Sequence, residues 1–437
     1  MTAGYAEAFA AADLAAQLPW LGDIRRDAFA RFTALGFPTT RDEDWHFTSV
    51  TPIAERSFRS PQPRTANSST VSAADLDSLV IGDPNWHRLT FVNGRFVPAL
   101  SSFAALPDSV RVMTLEAALR EVPEFVAERL GTLAAYQRDS FTALNTALMR
   151  DGVLVHVPRG VTIDAPVHVV HIADAQASGT AMHPRMLVVV DALARVSVVE
   201  SYVSRGSGPY FTNAVAEVDL GSGARMDHYK IQRESSDAFH VGTVQVAQGR
   251  DSVYHSFSYA AGAALSRTNI YTRLLGESAE VRLNGLYMID GAQHADHQTF
   301  VEHLAPACAS RELYKGTLDG SSHGVFNGKV YVAPEAQKTD GKQTNHALLL
   351  SDRARVDTKP QLEIFADDVK CTHGATVGRL DQASLFYMKS RGIGADHARA
   401  LLTYAFAAEV LETIELDVLR EGLERLAFAR FTAGEQR

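Results

Sequence analysis

Apolar and polar positions change their spacing twice along the chain. Over the first 50 residues Leu14, Leu18, Leu21, Ile24, Phe29, Phe32 and Leu35 recur at three- and four-residue steps, which predicts a helix with one buried face. Gly36-Phe37-Pro38 stops that pattern. Residues 57–75 carry two prolines among many Ser, Thr and Asn and read as a linker or mobile loop. LTFVNGRFVP (89–98) predicts a short hairpin turned at Asn93-Gly94, and 114–149 return to helical spacing. From about 153 the period drops to two. VLVHVP (153–158), PVHVVHI (166–172), RMLVVV (185–190), VSVVESYV (196–203), AVAEVDL (214–220) and HVGTVQVA (240–247) are β-branched runs punctuated by turn residues, and such runs recur to about 388. Residues 395–431 are helical again, with Asp396 in the first turn and Leu401, Ala405, Ala408 and Leu411 on one face. The expected order is a helical region over 1–150, a mainly β core over 151–388 and a helical region over 389–437.

A weak repeat bears on how the β core is built. The pattern apolar-x-x-x-Ala-x-apolar occurs as VDALARV (190–196), LGSGARM (220–226), LGESAEV (275–281) and LSDRARV (350–356), and AQGRDSV (247–253) is a degenerate copy with Asp251 at the Ala position. Positions 194, 224, 251 and 279 lie 30, 27 and 28 residues apart. A period near 28 in an all-β stretch suggests stacked coils, each burying its inner face on the next, with the small Ala where the chain turns a corner. A two-sheet sandwich is the alternative at this level.

Composition narrows the function classes. The 437 residues hold 42 Lys and Arg against 51 Asp and Glu, a formal charge of −9, so there is no global basic footprint for nucleic acid or anionic membrane. The only cysteines, Cys308 and Cys371, exclude a disulfide scaffold and a self-contained four-thiolate site, and they fit a reducing compartment. Residues 1–18 lack a basic start and carry Glu7 and Asp13, and no apolar run approaches 18 residues, so a cytoplasmic protein is expected. There is no G-x-x-x-x-G-K-[ST], G-x-S-x-G, H-E-x-x-H or strand-to-helix G-x-G-x-x-G, which argues against a nucleotidase, a serine hydrolase, a zinc protease and a dinucleotide enzyme.

The sharpest chemical feature is DDVKCTHGA (367–375). On a strand, Cys371 and His373 share one face with Cα atoms roughly 6.5–7 Å apart, close enough for sulfur and nitrogen to converge on one soft or borderline metal. Two ligands are half a tetrahedral site, so the rest would come from water, sulfide or another chain. A buried thiol beside a hydrogen-bonded histidine is the plainer reading of the same residues. In QHADHQTFVEH (293–303) the strand period puts His297, Thr299, Val301 and His303 on one face, a possible histidine pair for a metal or two hydrogen-bonded histidines. Cys308, in LAPACASREL, reads first as a packed thiol, and EIFADD (363–368) as solvated strand ends rather than a cation site.

Longer stretches around these residues resemble the SufB/SufD family of iron–sulfur cluster assembly proteins. The resemblance is carried by PQLEIFADDVKCTHGATVG (360–378), within 338–412, and by CASRELYKGTLDG (308–320), VFNGKVYV (325–332) and TRDEDWHFTSV (40–50); it fades over 57–150. Length, the helical amino-terminal region and the few cysteines resemble the SufD branch more than SufB. The resemblance implies a right-handed parallel β-helix core with helical flanks. It also implies a scaffold subunit, not an enzyme, that pairs with a SufB-like subunit and binds a SufC-like ATPase; the isolated chain could form a homodimer. Cys371 and His373 match the position implicated in a transient iron–sulfur cluster or iron shared with the partner chain, with nothing tightly held by one chain alone. The segment after about 385 matches the ATPase-contacting region, and within it Arg391, Gly392, Ile393, Leu401, Tyr404 and Ala405 are the candidate contacts. Two other readings stay open: a SufB-like scaffold that itself accepts sulfur, and a polysaccharide-active enzyme on a β-helix.

Overall fold

The computed structural model describes residues 3–10, 18–61 and 71–432, so Leu14 of the first helical stripe and 62–70 of the linker lie outside the described residues. Its centre is a pair of ten-stranded sheets, and from strand Arg195–Ser204 onward consecutive strands alternate between them. Each strand therefore pairs in parallel with the strand two places on. Arg195, Arg225, Val253, Glu280, Ala309, Asp340 and Lys370 stand in one column, so a coil takes about 27–31 residues. The result is a parallel β-solenoid of about eight turns, not a sandwich.

The corners explain the repeat. Leu193, Gly223, Asp251, Ser278, Ala307 and Lys338 all have φ between 55° and 67°, the left-handed conformation that swings the chain from one sheet to the other. Each is followed by a buried small or compact residue: Ala194, Ala224, Ser252, Ala279, Cys308 and Thr339. Asp251 is thus the turning residue, and Ser252, one place on, fills the small position assigned to Asp251 from the pattern. Ala354 of LSDRARV precedes strand Arg355–Ile364 of the other sheet and belongs to the opposite corner. The pattern matched two corners because both need a small residue on the inside of a bend.

Alternate residues of each strand point into the coil. Val196, Val198, Val218, Met226, Val246, Val281, Leu283 and Phe326 belong to the main interior cluster. One end of the stack is closed. There the hairpin of His87–Val92 and Arg95–Phe96 turns at Asn93 (φ 51°) and Gly94 (φ 71°), and Arg111–Thr114 runs antiparallel to Gly152–Val157. Helices Leu115–Glu121, Pro123–Ala127 and Ser140–Leu148 replace the single helical stretch expected over 114–149. The last of these is tied down by a fully buried ion pair. Arg185 reaches Glu217 at 2.5 Å and also donates to Asn145 and Thr146, while Glu217 accepts from the backbone of Gly131, Leu133 and Ala134.

The other end is open. Strands Arg355–Ile364 and Lys370–Gly378 form the two sheet edges, and neither has a buried residue, whereas Asp340–Leu349 one coil earlier has five. Strand character ends at Gly378, ahead of the expected 388, and helix Gln382–Ser390 follows. The final helical stretch is divided into Ala395–Leu411 and Asp417–Thr432. Between them Ile414 is buried and the Glu415 N–H donates to Tyr229 Oη at 3.3 Å. These helices cover the outer face of one sheet, joining Ala407, Val410, Leu411, Leu419 and Leu423 to Tyr229, Phe257, Leu286 and Met288. The buried face runs through Ala400, Thr403, Ala407, Val410 and Leu411; Ala405 is exposed and Leu401 and Ala408 only half-buried. The face read from sequence was therefore turned by about one residue.

The corner geometry has a direct test. Ala279→Leu overfills the inside of a bend and should cost about 1–3 kcal/mol, read as a lower denaturant midpoint. Glu277→Leu, on the exposed side of the same turn, should stay within about 0.5 kcal/mol of the parent.

Candidate functional site

Cys371 and His373 lie on the terminal strand Lys370–Gly378, paired in register with Gly341 and Gln343. Those two partners are buried inside the preceding coil, so the parity of the ladder sends both side chains toward the solenoid interior. No further coil lies over them among the described residues. Cys371 is consequently half-buried and His373 exposed, at the mouth of the stack. Gly341 makes room for the thiol: a Cβ there would stand 3.3 Å from Cys371 Sγ. Burial pushes the Cys371 thiol up, assisted by the charge of Asp340, while a hydrogen bond from the Gly341 backbone acts against it.

The strand facing them across the mouth contributes Pro360, register partner of Gly328. Proline has no N–H for a ladder, and within a sheet it suits an edge strand. Beneath the mouth the interior turns polar. Gln343 donates to Glu312 at 3.3 Å, and Thr299 donates to the same carboxylate at 2.6 Å. Burial pushes the Glu312 carboxyl up to about 7, with only these two neutral hydrogen bonds opposing it. Register runs Glu312, Gln343, His373 along one inward column, so an acid titrating near neutrality sits two coils beneath the exposed imidazole. Glu312 was not singled out from sequence, although its parity with Ser310 and Tyr314 in ASRELYKGTL marks it as inward-facing.

The other sequence candidates separate. His297 and His303 do share the inner face, but His297 stacks on Tyr287 with ring centroids 5.1 Å apart, and His303 pairs with Ser310 at 2.9 Å. Burial pushes both imidazoles down to about 4, so each is neutral and neither is brought to the other. Cys308 is a corner residue whose S–H donates to the Gly276 carbonyl at 3.3 Å. In EIFADD, Glu363 is engaged by Lys329 at 2.8 Å.

Beyond the terminal strand, Gly392 (φ 86°) turns the chain between two helices, and Ile393 packs against the cluster of Leu385 and Ala398. Tyr404 packs edge-on to Phe428, so both residues act in helix packing. Arg391 lies over the Tyr387 ring at 5.3 Å. Beside it, Phe386 and Tyr387 are 75% and 59% exposed, an aromatic patch that the residue-by-residue reading passed over. No helix among the described residues is long and apolar enough to cross a membrane.

Known proteins align with both halves of this architecture. A family model described as the SufBD core domain of the SUF iron–sulfur cluster assembly system matches residues 171–406, and one for the SufBD N-terminal region matches 5–169. The chain is 35% identical over 404 residues to the iron–sulfur cluster assembly protein SufD of Escherichia coli, covering 90% of this chain and 88% of that one. It is 33% identical over 414 residues to an iron–sulfur cluster assembly SufBD family protein of Synechocystis, covering 93% and 90%. The SufD of Bacillus subtilis is 27% identical over 415 residues, covering 92% of each.

Glu312 sets a pH dependence. Its carboxyl titrates near 4.5 when unfolded and about 7 when folded, so the native state holds the extra proton between those values and stability falls as pH rises through that window. The contribution is on the order of 3 kcal/mol. Glu312→Gln keeps an acceptor for Thr299, and Gln343 can turn its unpartnered Oε1 to the new amide. Denaturant titrations at pH 5 and pH 8 should show a smaller difference for this variant than for the parent.

Proposed function

The chain belongs to the SufBD family of iron–sulfur cluster assembly proteins, and from that premise we propose that it is a SufD-like scaffold whose open solenoid end, capped by a SufB-like subunit, holds a nascent cluster. The observation that carries this reading is the placement of Cys371 and His373 as inward positions of an uncovered last coil. A partner that pairs with the free edges of Arg355–Ile364 and Lys370–Gly378 would satisfy their backbone and enclose both side chains at once. The cluster is cargo here. Two ligands from this chain, with the remainder from the partner, leave it extractable, unlike a cluster in a complete four-cysteine shell. The Cys371 thiol is biased toward its protonated form, so coordination releases a proton. His373 ligates through an imidazole nitrogen lone pair.

The SufD-like assignment over a sulfur-accepting SufB-like one is supported by Cys308. Its sulfur is buried and bonded to backbone carbonyls, which leaves Cys371 as the accessible thiol. ATP hydrolysis belongs to a SufC-like partner in this reading, since the sequence has no P-loop. The exposed Phe386 and Tyr387, flanked by Arg391, offer that partner an aromatic anchor. Deleting the tail is a poor test, because its helices cover Tyr229, Phe257 and Leu286 on the solenoid.

His373→Ala should leave the thermal midpoint and SufB-like partner co-purification near the parent, yet lower cluster formation on the reconstituted complex at least tenfold or so. Cys371→Ser should lower it less, if sulfur enters through the partner. Normal assembly by both variants would sink the proposal. Separately, Phe386→Ala with Tyr387→Ala should release the ATPase while retaining the SufB-like subunit; unchanged ATPase binding refutes the docking patch.

A further inference from the structure

Away from the mouth, one set of His, Asp and Glu side chains among the described residues brings a ligand atom from each to within 4.8 Å of the others: Asp227, His255 and Glu415. Asp227 and His255 are register partners on neighbouring coils, on the solenoid's outer face. Glu415 arrives from the turn between the last two helices, held there by its own N–H on Tyr229 Oη and by buried Ile414. His255 Nδ1 stands 3.1 Å from Asp227 Oδ1 and 3.6 Å from Glu415 Oε1.

The charges around this point are unequal in what they can satisfy. Arg225 donates to both carboxylates, at 2.7 Å to Glu415 and 3.4 Å to Asp227. Arg282 pairs with Glu280 at 2.7 Å. Neither arginine bonds the imidazole. His255 Nε2 is buried without a hydrogen-bond partner and lies 3.9 Å from Glu280 Oε1. Nδ1 is hydrogen-bonded to Asp227; an ion entering there would displace that proton, and with the ring proton on Nε2, on the Glu280 side, the Nδ1 lone pair would be free to ligate. With Glu280 closing on Nε2 from 3.9 Å, this would become the outer-carboxylate, histidine, metal arrangement in which the second acid holds the tautomer. An adjoining cavity of about 300 Å³, bordered by Tyr229, His255, Glu412 and Glu415, has room for the water ligands that would complete a coordination shell.

We propose that Asp227, His255 and Glu415 bind one first-row divalent transition-metal ion at the seam between the solenoid and the C-terminal helices. One imidazole with two carboxylates suits Fe2+, Mn2+, Co2+ or Zn2+ better than Mg2+ or Ca2+, which take oxygen ligands. Arg225 offsets part of the carboxylate charge and so favours a divalent over a trivalent ion. The bound ion ties two coils to the turn at 412–416. This site is independent of the mouth and does not rest on the role proposed for Cys371 and His373.

The test uses the full chain with Cys371→Ser and His373→Ala combined, which removes the mouth as a competitor, and Co2+ as a spectroscopic probe under anaerobic conditions. One equivalent should bind, with a visible d–d band and no thiolate charge-transfer band, and should raise the thermal midpoint and slow proteolysis at 412–416. Adding His255→Ala should abolish binding, and Glu280→Gln should weaken it roughly 10–100-fold. Glu415→Gln, in an exposed turn, serves as a second ligand variant should the histidine change disturb folding; it too should lose the midpoint rise. Absence of binding in the Cys371/His373 background, or Co2+ binding that both ligand variants leave unchanged, overturns the proposal and leaves a hydrogen-bonded and ion-pair network around His255.

Discussion

A coil of this solenoid can bury its interior only against the coils above and below it. Everything else in the molecule follows from that dependence. The parallel ladders keep inward residues in columns, and the left-handed corner residue with its compact successor lets each coil repeat without drifting out of register. The amino-terminal region is fixed against the outside of the stack by a few buried anchors. Arg185 and Glu217 form one. Arg267 forms another: it lies 3.7 Å over the Trp45 ring and reaches Asp296 at 2.7 Å, and Asp296 also accepts from Thr48. Stretch 40–50 therefore earns its charged and aromatic residues by clamping the amino-terminal region to the core.

The interior is also where polar groups are placed in low dielectric, and their partners decide their state. Burial acts to raise the Glu200 carboxyl. The hydrogen bond and charge of His228, with the charge of Lys230, outweigh it and bring the group down to about 2. Glu312 has only Thr299 and Gln343, so burial wins and the group is pushed up to about 7. The same residue type in the same sheet thus carries a fixed charge in one coil and a movable proton in another. The movable one lies nearer the open end.

Most of the fold was legible because its determinants are local. Period-two runs marked the strands, Asn93-Gly94 marked its turn, and compact residues near every 28 positions marked the corners. Errors arose where the deciding contact is distant. Asp251 and Ser252 are indistinguishable to a loose pattern until backbone φ separates the turning residue from the filler. The buried face of Ala395–Leu411 is set by Tyr229, Phe257 and Leu286, more than a hundred residues earlier, and no helical spacing reveals it. At the site, the shared face of Cys371 and His373 follows from strand parity alone. That their face is uncovered depends on where the stack stops, which is a property of the whole chain. Glu312 was passed over because a lone glutamate in a β run looks like a solvent-facing residue until its column is known.

One feature of the ends limits how such molecules can assemble. At the closed end the outermost strands are Arg95–Phe96 and Arg111–Thr114, too short to template a neighbour, while the open end presents edges of ten and nine residues. Head-to-tail growth into a filament needs a long free edge at both poles, and the described residues present one at the open end alone. Under the proposed role, edge pairing would run mouth against mouth, a self-terminating union of two related by a two-fold or pseudo-two-fold axis. A solenoid, the architecture most prone to endless propagation, would in this way be made to count to two.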